Sequence, residues 1–177
     1  MFMRCLLVVV FVAILLAAAG LIRVDSPAEA AGGGYASTCG GGETFLYASE
    51  MRPLAVHNNT RKDHGLKPLC VHPTLQEAAR AHSKDMIQHD YYAHDTRGSN
   101  ENSCARILRF GYRWSSCGEN LGYNATPEGV FFFWMRNSIH RRNILDSSFR
   151  EVGIGARTGE FNDSETTMYT VDFGARR

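Results

Sequence analysis

Beyond its first thirty residues this sequence has no long apolar run, no excess of one charge sign and no internal repeat. The first absence means that nothing downstream reaches the roughly 20 apolar residues a membrane-spanning helix requires. Charge is nearly balanced, with 19 Lys and Arg against 18 Asp and Glu. The overall charge therefore gives no reason to expect nucleic acid or an anionic membrane as partner. Catalytic signatures are missing too: there is no H-E-x-x-H zinc helix, no G-x-S-x-G elbow and no C-x-x-C pair. What remains is ordinary: 177 residues, 44% of them hydrophobic, are enough for one domain with a proper core.

The exception is the N-terminus. Arg4 supplies a short positive region, and Leu6 to Ala19 is an unbroken apolar run of signal-peptide length. Ala28-Glu29-Ala30 then forms a small-x-small cleavage site, while Arg23 and Asp25 cut the run too short for a comfortable anchor. Residues 1–30 are expected to be a signal peptide and the product to be secreted, an uncleaved anchor being the alternative. Export gives the cysteines a meaning. Cys5 leaves with the signal, and Cys39, Cys70, Cys104 and Cys117 remain for an oxidising compartment. Cys39 and Cys70 flank the first helical stretch and Cys104 and Cys117 a short helix and turn, which favours those two bridges over a zinc site.

Residues 31–44 are glycine-rich and read as a flexible leader, with the domain proper at 45–177. A helix is predicted over Ser49 to His64, stopped by Gly65. Its Asn58 and Arg61 share a face and are either solvent-exposed or buried to tie loops together. A second helix is predicted to open on Thr74 with Glu77 as its capping box and to bury Leu75, Ala78, Ala79, His82 and Met86. His82 is expected to be a hydrogen-bonded core residue. Cys104 to Phe110 reads as a short helix. Thr126-Pro127-Glu128 reads as the start of another, buried on more than one side because Phe131 to Trp134 are all aromatic. After Leu145 the period changes from 3.6 to 2: Val152, Ile154 and Ala156, then Tyr169, Val171 and Phe173, alternate as an antiparallel hairpin. Asp172 reads as a sheet-surface charge. Helices first and strands last indicate an α+β domain. Asn58, Asn124 and Asn162 begin glycosylation tripeptides, relevant only in a glycosylating host.

Three stretches share an unusual mixture of aromatic, glycine and lone ionisable residues: Y-Y-A-H-D-T-R-G from Tyr91, C-G-E-N-L from Cys117, and W-M-R-N-S-I-H-R-R-N-I-L from Trp134. They are expected to form one cleft holding His94, Glu119 and His140. Two imidazoles and a carboxylate can bind Zn²⁺ or another divalent ion and leave a position for water. The same groups can equally hydrogen-bond one another and fix loops. Ser83 and Ser138 could be paired with histidines on paper, without an elbow to support it.

With H-N-N-T-R at His57 and A-R-A-H-S-K-D-M at Ala79, these stretches resemble the CAP superfamily of cysteine-rich secretory, antigen 5 and pathogenesis-related proteins, in its small secreted bacterial branch. The resemblance covers about residues 45–174. It implies a three-layer α-β-α sandwich around a central antiparallel sheet, and a cleft of two histidines and two acidic residues that holds a divalent metal in some members. His94, Glu119 and His140 match three of the four. The fourth is lacking, because phenylalanines stand where relatives carry a glutamate and Glu128 lies a turn too early; Ile139 also replaces a common glycine. The implied function is a non-catalytic secreted binding module, for a lipid or sterol, an extracellular protein or a divalent ion. A metal-dependent hydrolase, such as a peptidase, is the alternative.

Overall fold

The computed structural model describes residues 32–176, so the expected signal peptide lies outside the described residues. The elements run β1 (Gly33–Ser37), β2 (Glu43–Tyr47), α1 (Ala48–Asp63), β3 (Cys70–Val71), α2 (Pro73–Gln88), α3 (Ser103–Arg109), β4 (Trp114–Asn124), α4 (Pro127–Arg136), α5 (Ser138–Leu145), β5 (Glu151–Phe161) and β6 (Ser164–Arg176). The main sheet has the order β3-β5-β6-β4. It is antiparallel except for the two-residue parallel pairing of β3 with β5. The β5–β6 turn is Asn162-Asp163, both at positive φ, the two-residue turn whose twist suits a hairpin.

Alternation along β5 and β6 sorts the layers. Val152, Ile154, Val171 and Phe173 pack in one core with Val130, Phe131, Trp134 and Ile144 from α4 and α5. The other face carries Gly153 and Gly155, where α2 lies against the sheet. A Cβ on Gly153 would stand 2.1 Å from the Leu75 carbonyl carbon, and one on Gly155 2.2 Å from the Ala79 oxygen. Gln76 of α2 then serves the β5 backbone beyond short β3, donating to the Ile154 carbonyl at 2.5 Å and accepting from its N–H at 2.9 Å. Because the clash is with backbone, Gly153→Ala is expected to cost roughly 3 kcal/mol. Urea unfolding would show it as a lower midpoint.

Several expectations are corrected. The glycine-rich leader is paired structure: β1 and β2 form a hairpin, Thr38 bridges to Val71, and Cys39–Cys70 fastens it to β3. The second disulfide joins Cys104 to Cys117, so both bridges are the expected ones. Helix α2 is capped by His72, whose ring accepts from the Thr74 N–H; with Pro73 at the first helical position, the start falls upstream of Thr74. Helix α4 does start at Thr126 and Pro127, but it is not buried all round. Phe131 and Trp134 are inside, whereas Phe132 and Phe133 are 55% and 60% exposed. Residues 114–124 form the full-length edge strand β4.

Of the two readings for Asn58 and Arg61, the buried one is found. Asn58 exchanges both of its amide bonds with the Leu69 backbone. Those bonds occupy the nitrogen a glycan would need. The Arg61 guanidinium, fully buried, donates to four carbonyls, those of Lys67, Ile144, Asp146 and Phe149.

Candidate functional site

Glu119 is the centre of the site. Strand β4 turns its carboxylate inward beside β6, where its side chain is 1% exposed. Arg106 of α3, equally buried, donates from Nη2 to one carboxylate oxygen. The His94 ring donates from Nδ1 to the other at 2.7 Å, and Arg106 Nη1 donates to the His94 carbonyl at 2.9 Å. His94 thus sits on a loop tied to the pair by both ring and backbone. His82, as expected, is structural: its Nε2 meets the Ala93 carbonyl at 2.9 Å and pins that loop. Burial first, then the nearby Arg106 charge, push the His82 pKa down to about 4, so its ring is neutral at ordinary pH. The bond to Glu119 raises the pKa of His94 instead.

The motif around Glu119 and the motif around His140 hold each other through backbone. Asn120 Nδ2 donates to the His140 carbonyl at 3.0 Å, and Asn143 Nδ2 donates to the Glu119 carbonyl at 3.1 Å and to Asn120 Oδ1 at 2.9 Å. Gly122 lets α4 approach: a Cβ there would lie 2.1 Å from Val130. His140 is half-buried, and its pKa is lowered by burial first and by the His94 charge second. The structure thus places His94 and Glu119 in contact and His140 within electrostatic reach of His94.

Asp172 corrects the reading of a surface charge. It faces Glu119 across the β4–β6 ladder and is fully buried. Burial first, then the Glu119 charge, raise its pKa well above the usual carboxylate range. The signal for burial was in the partner strand: Gly153 stands opposite Asp172, and small residues there mark a covering helix. Arg106 had no sequence flag beyond an arginine amid the apolar residues of a short helix.

The sign of the Asp172 effect follows from linkage. The folded chain holds this proton to higher pH than the unfolded chain, so its contribution is complete below the ordinary carboxylate pKa and is lost as pH rises through the raised value. Asp172→Asn removes the titration while keeping the shape. Its melting temperature is expected to exceed that of wild type at about pH 8, with the difference shrinking toward about pH 4. Thermal melts across that range test it.

A zinc centre of catalytic type takes three protein ligands and leaves a position for water. Among the described residues no three His, Cys, Asp or Glu side chains converge as a metal-binding group. Glu119 has one oxygen on a buried guanidinium and the other on His94, so it is not presented to a cation. His94, Glu119 and His140 as arranged do not fit a three-ligand metal site. Ser83 offers no nucleophile either, since its buried hydroxyl donates to Thr170 Oγ1 at 2.8 Å.

Next to this cluster, a groove of about 640 Å³ runs along the free edge of β4. Its walls include Tyr92, Tyr123, Val130, Phe133 and Trp134, and Arg136, Asn137 and His140 give it a polar end. Tyr92 and Tyr123 meet edge to face at 5.3 Å, and Trp134 Nε1 donates to the Leu121 carbonyl at 2.7 Å, which fixes the indole as groove wall.

Comparison with known proteins agrees with this architecture. The model of the cysteine-rich secretory protein family, CAP, matches residues 54–173, and the chain belongs to that family. It is 37% identical over 111 residues to the uncharacterized protein YkwD of Bacillus subtilis, covering 61% of this chain and 42% of that one. Among solved structures, an outer surface protein from Borrelia burgdorferi superposes with a TM-score of 0.62 at 18% identity, over 72% of this chain and 92% of that one. An extracellular SCP-domain protein from Bacillus anthracis gives 0.59 at 24% identity, over 73% and 40%. NaASP2, solved with Zn²⁺, gives 0.51 at 10% identity, over 73% and 80%. The chain thus spans less than half of the curated relative. No described helix is long and apolar enough to cross a membrane.

Proposed function

We propose that this is a secreted, non-catalytic binding protein whose ligand is a small amphipathic molecule of the lipid class, held in the groove along β4. The observation that carries this reading is the division of labour between groove and cluster. The apolar walls end at Arg136 and His140, a cation and a neutral imidazole, whereas Glu119 is already committed to Arg106 and His94. An apolar body would lie against Val130, Phe133 and Trp134, and an acidic or hydroxylic head would meet Arg136 and His140. The groove volume is within the range of about 300–1,000 Å³ usual for small-molecule sites. The tie between His94 and Glu119 then serves to hold the loop that carries Tyr92, one wall of the groove.

A brominated fatty acid is a suitable probe, because bromine quenches an adjacent indole and Trp134 lines the groove. Trp114→Phe leaves Trp134 as the single reporter. Saturable quenching is expected, weakened about tenfold or more by Phe133→Ala and Arg136→Ala together. Quenching that is absent, or indifferent to those substitutions, would refute the groove as the site. Release of product from a peptide library on adding Zn²⁺ would favour the metal-dependent hydrolase instead.

A further inference from the structure

We infer that the α4–α5 corner is a docking surface for an anionic lipid membrane. Balanced net charge conceals a local imbalance. Between Glu128, which pairs with Arg52 at the far end of α4, and Asp146, which caps α5, the chain carries Arg136, Arg141 and Arg142 and no acidic residue. All three arginines are exposed. Two of them are held at the corner itself. Arg136 lies 5.2 Å over the Phe132 ring, and Arg141 Nη1 donates to the Met135 carbonyl at 3.2 Å.

Beside this charge the corner exposes large apolar side chains that nothing in the fold uses. Phe132 and Phe133 are 55% and 60% exposed and pack edge to face, and Ile139, in the first turn of α5, is 67% exposed. Trp134 and Phe131 already supply the contact of α4 with the core, so Phe132 and Ile139 contribute little to folding. Adjacent aromatics with a cation across them are what an interfacial element presents: apolar rings enter the boundary of the acyl chains while guanidiniums stay with the phosphates. Charge complementarity selects the anionic membrane over a neutral apolar partner. Phe133 also belongs to the groove, so the surface would open the groove toward the bilayer. The docking itself stands on Phe132, Ile139, Arg141 and Arg142, none of which line it.

The test uses protein recovered from the medium of an exporting host, with its N-terminus sequenced. It is sedimented with vesicles of phosphatidylcholine alone or mixed with phosphatidylglycerol. Binding to the mixed vesicles and not to the neutral ones is expected, weakening as salt rises. Phe132→Ala with Ile139→Ala, and separately Arg141→Glu with Arg142→Glu, should each reduce partitioning about tenfold or more while leaving the melting temperature and fatty-acid quenching in place. Failure of wild type to bind the mixed vesicles would overturn the proposal, as would unchanged partitioning of both variants. A concentration-dependent dimer that Phe132→Ala disrupts, without vesicle binding, would assign the surface to a second copy of the chain. Loss of vesicle binding with intact quenching separates this surface from the groove; the reverse pattern would remove the groove and leave the surface.

Discussion

Glu119→Ala is expected to lower the unfolding free energy by about 3 kcal/mol, because it takes from a buried guanidinium the carboxylate to which it is bonded and leaves only Asp172, which must ionise while buried, as counter-charge. Arg106 is 2% exposed and its Nε already lacks a partner. So buried a group has little access to water in place of the lost carboxylate, and a hydrogen bond to the His94 carbonyl is too little compensation for a full charge. The effect extends to the loop. Without the carboxylate the His94 ring loses the bond that raises its pKa, and that pKa is expected to fall. Arg106→Met in the same chain should restore part of the loss, since replacing both partners by apolar groups removes the uncompensated charge. The pair of single variants and the double variant form a cycle, read by urea unfolding. Strict additivity would show that the two residues do not depend on each other. A Glu119→Ala protein as stable as wild type would remove the structural role given to the carboxylate.

Arg61→Met should be of similar size, about 3–5 kcal/mol, for a different reason. Here the guanidinium meets backbone rather than a carboxylate. It joins α1 to the connector at Lys67, to the end of α5 at Ile144 and to the turn at Asp146 and Phe149, with distances from 2.7 to 3.1 Å. Methionine fills much of the volume but withdraws the guanidinium from all four carbonyls; the Ile144 oxygen loses a buried bond, while the Phe149 oxygen keeps the bond from Arg150 Nη1. Lysine keeps the charge and still fails, because one ammonium cannot reproduce a planar fork reaching carbonyls on several segments. The expected order of stability is wild type, then Arg61→Lys, then Arg61→Met. An Arg61→Lys protein indistinguishable from wild type would show that charge alone holds the segments together.

Much of the architecture was legible because local signals agreed with the tertiary fold. Thr126 and Pro127 start α4, as their side chain and ring dictate, and the change of period after Leu145 does mark the β5–β6 hairpin. The cysteine pairs were legible from what they flank. Strand β4 was not, since C-G-E-N-L-G carries glycines that serve the approach of Val130 and Asn143 rather than a turn. The leader misled for a related reason: its glycines suit a flexible segment, but a disulfide and pairing with β2 hold it. In the site, His94 and Glu119 were singled out from the sequence, and the His94 ring donates to the Glu119 carboxylate at 2.7 Å. Arg106 and Asp172 were missed, because their burial depends on α2 and α3 covering a sheet face that alternation alone assigns to solvent. The aromatic run erred in the opposite direction: four consecutive rings suggested burial all round, yet a helix against one sheet buries only the side that Phe131 and Trp134 occupy.

With Glu119 committed to Arg106 and His94, the proposed ligand enters the aromatic groove ending at His140 instead. Side-chain NMR of the histidine rings and the Trp134 indole, in parallel titrations with palmitate and with Zn²⁺, reads both halves at once. Palmitate is predicted to shift the Trp134 and His140 signals in a saturable way, with the His94 Nδ1 proton still bonded to Glu119, and equimolar Zn²⁺ to leave all three unmoved. Movement of His94 and His140 together with equimolar Zn²⁺, while palmitate leaves Trp134 untouched, would contradict it.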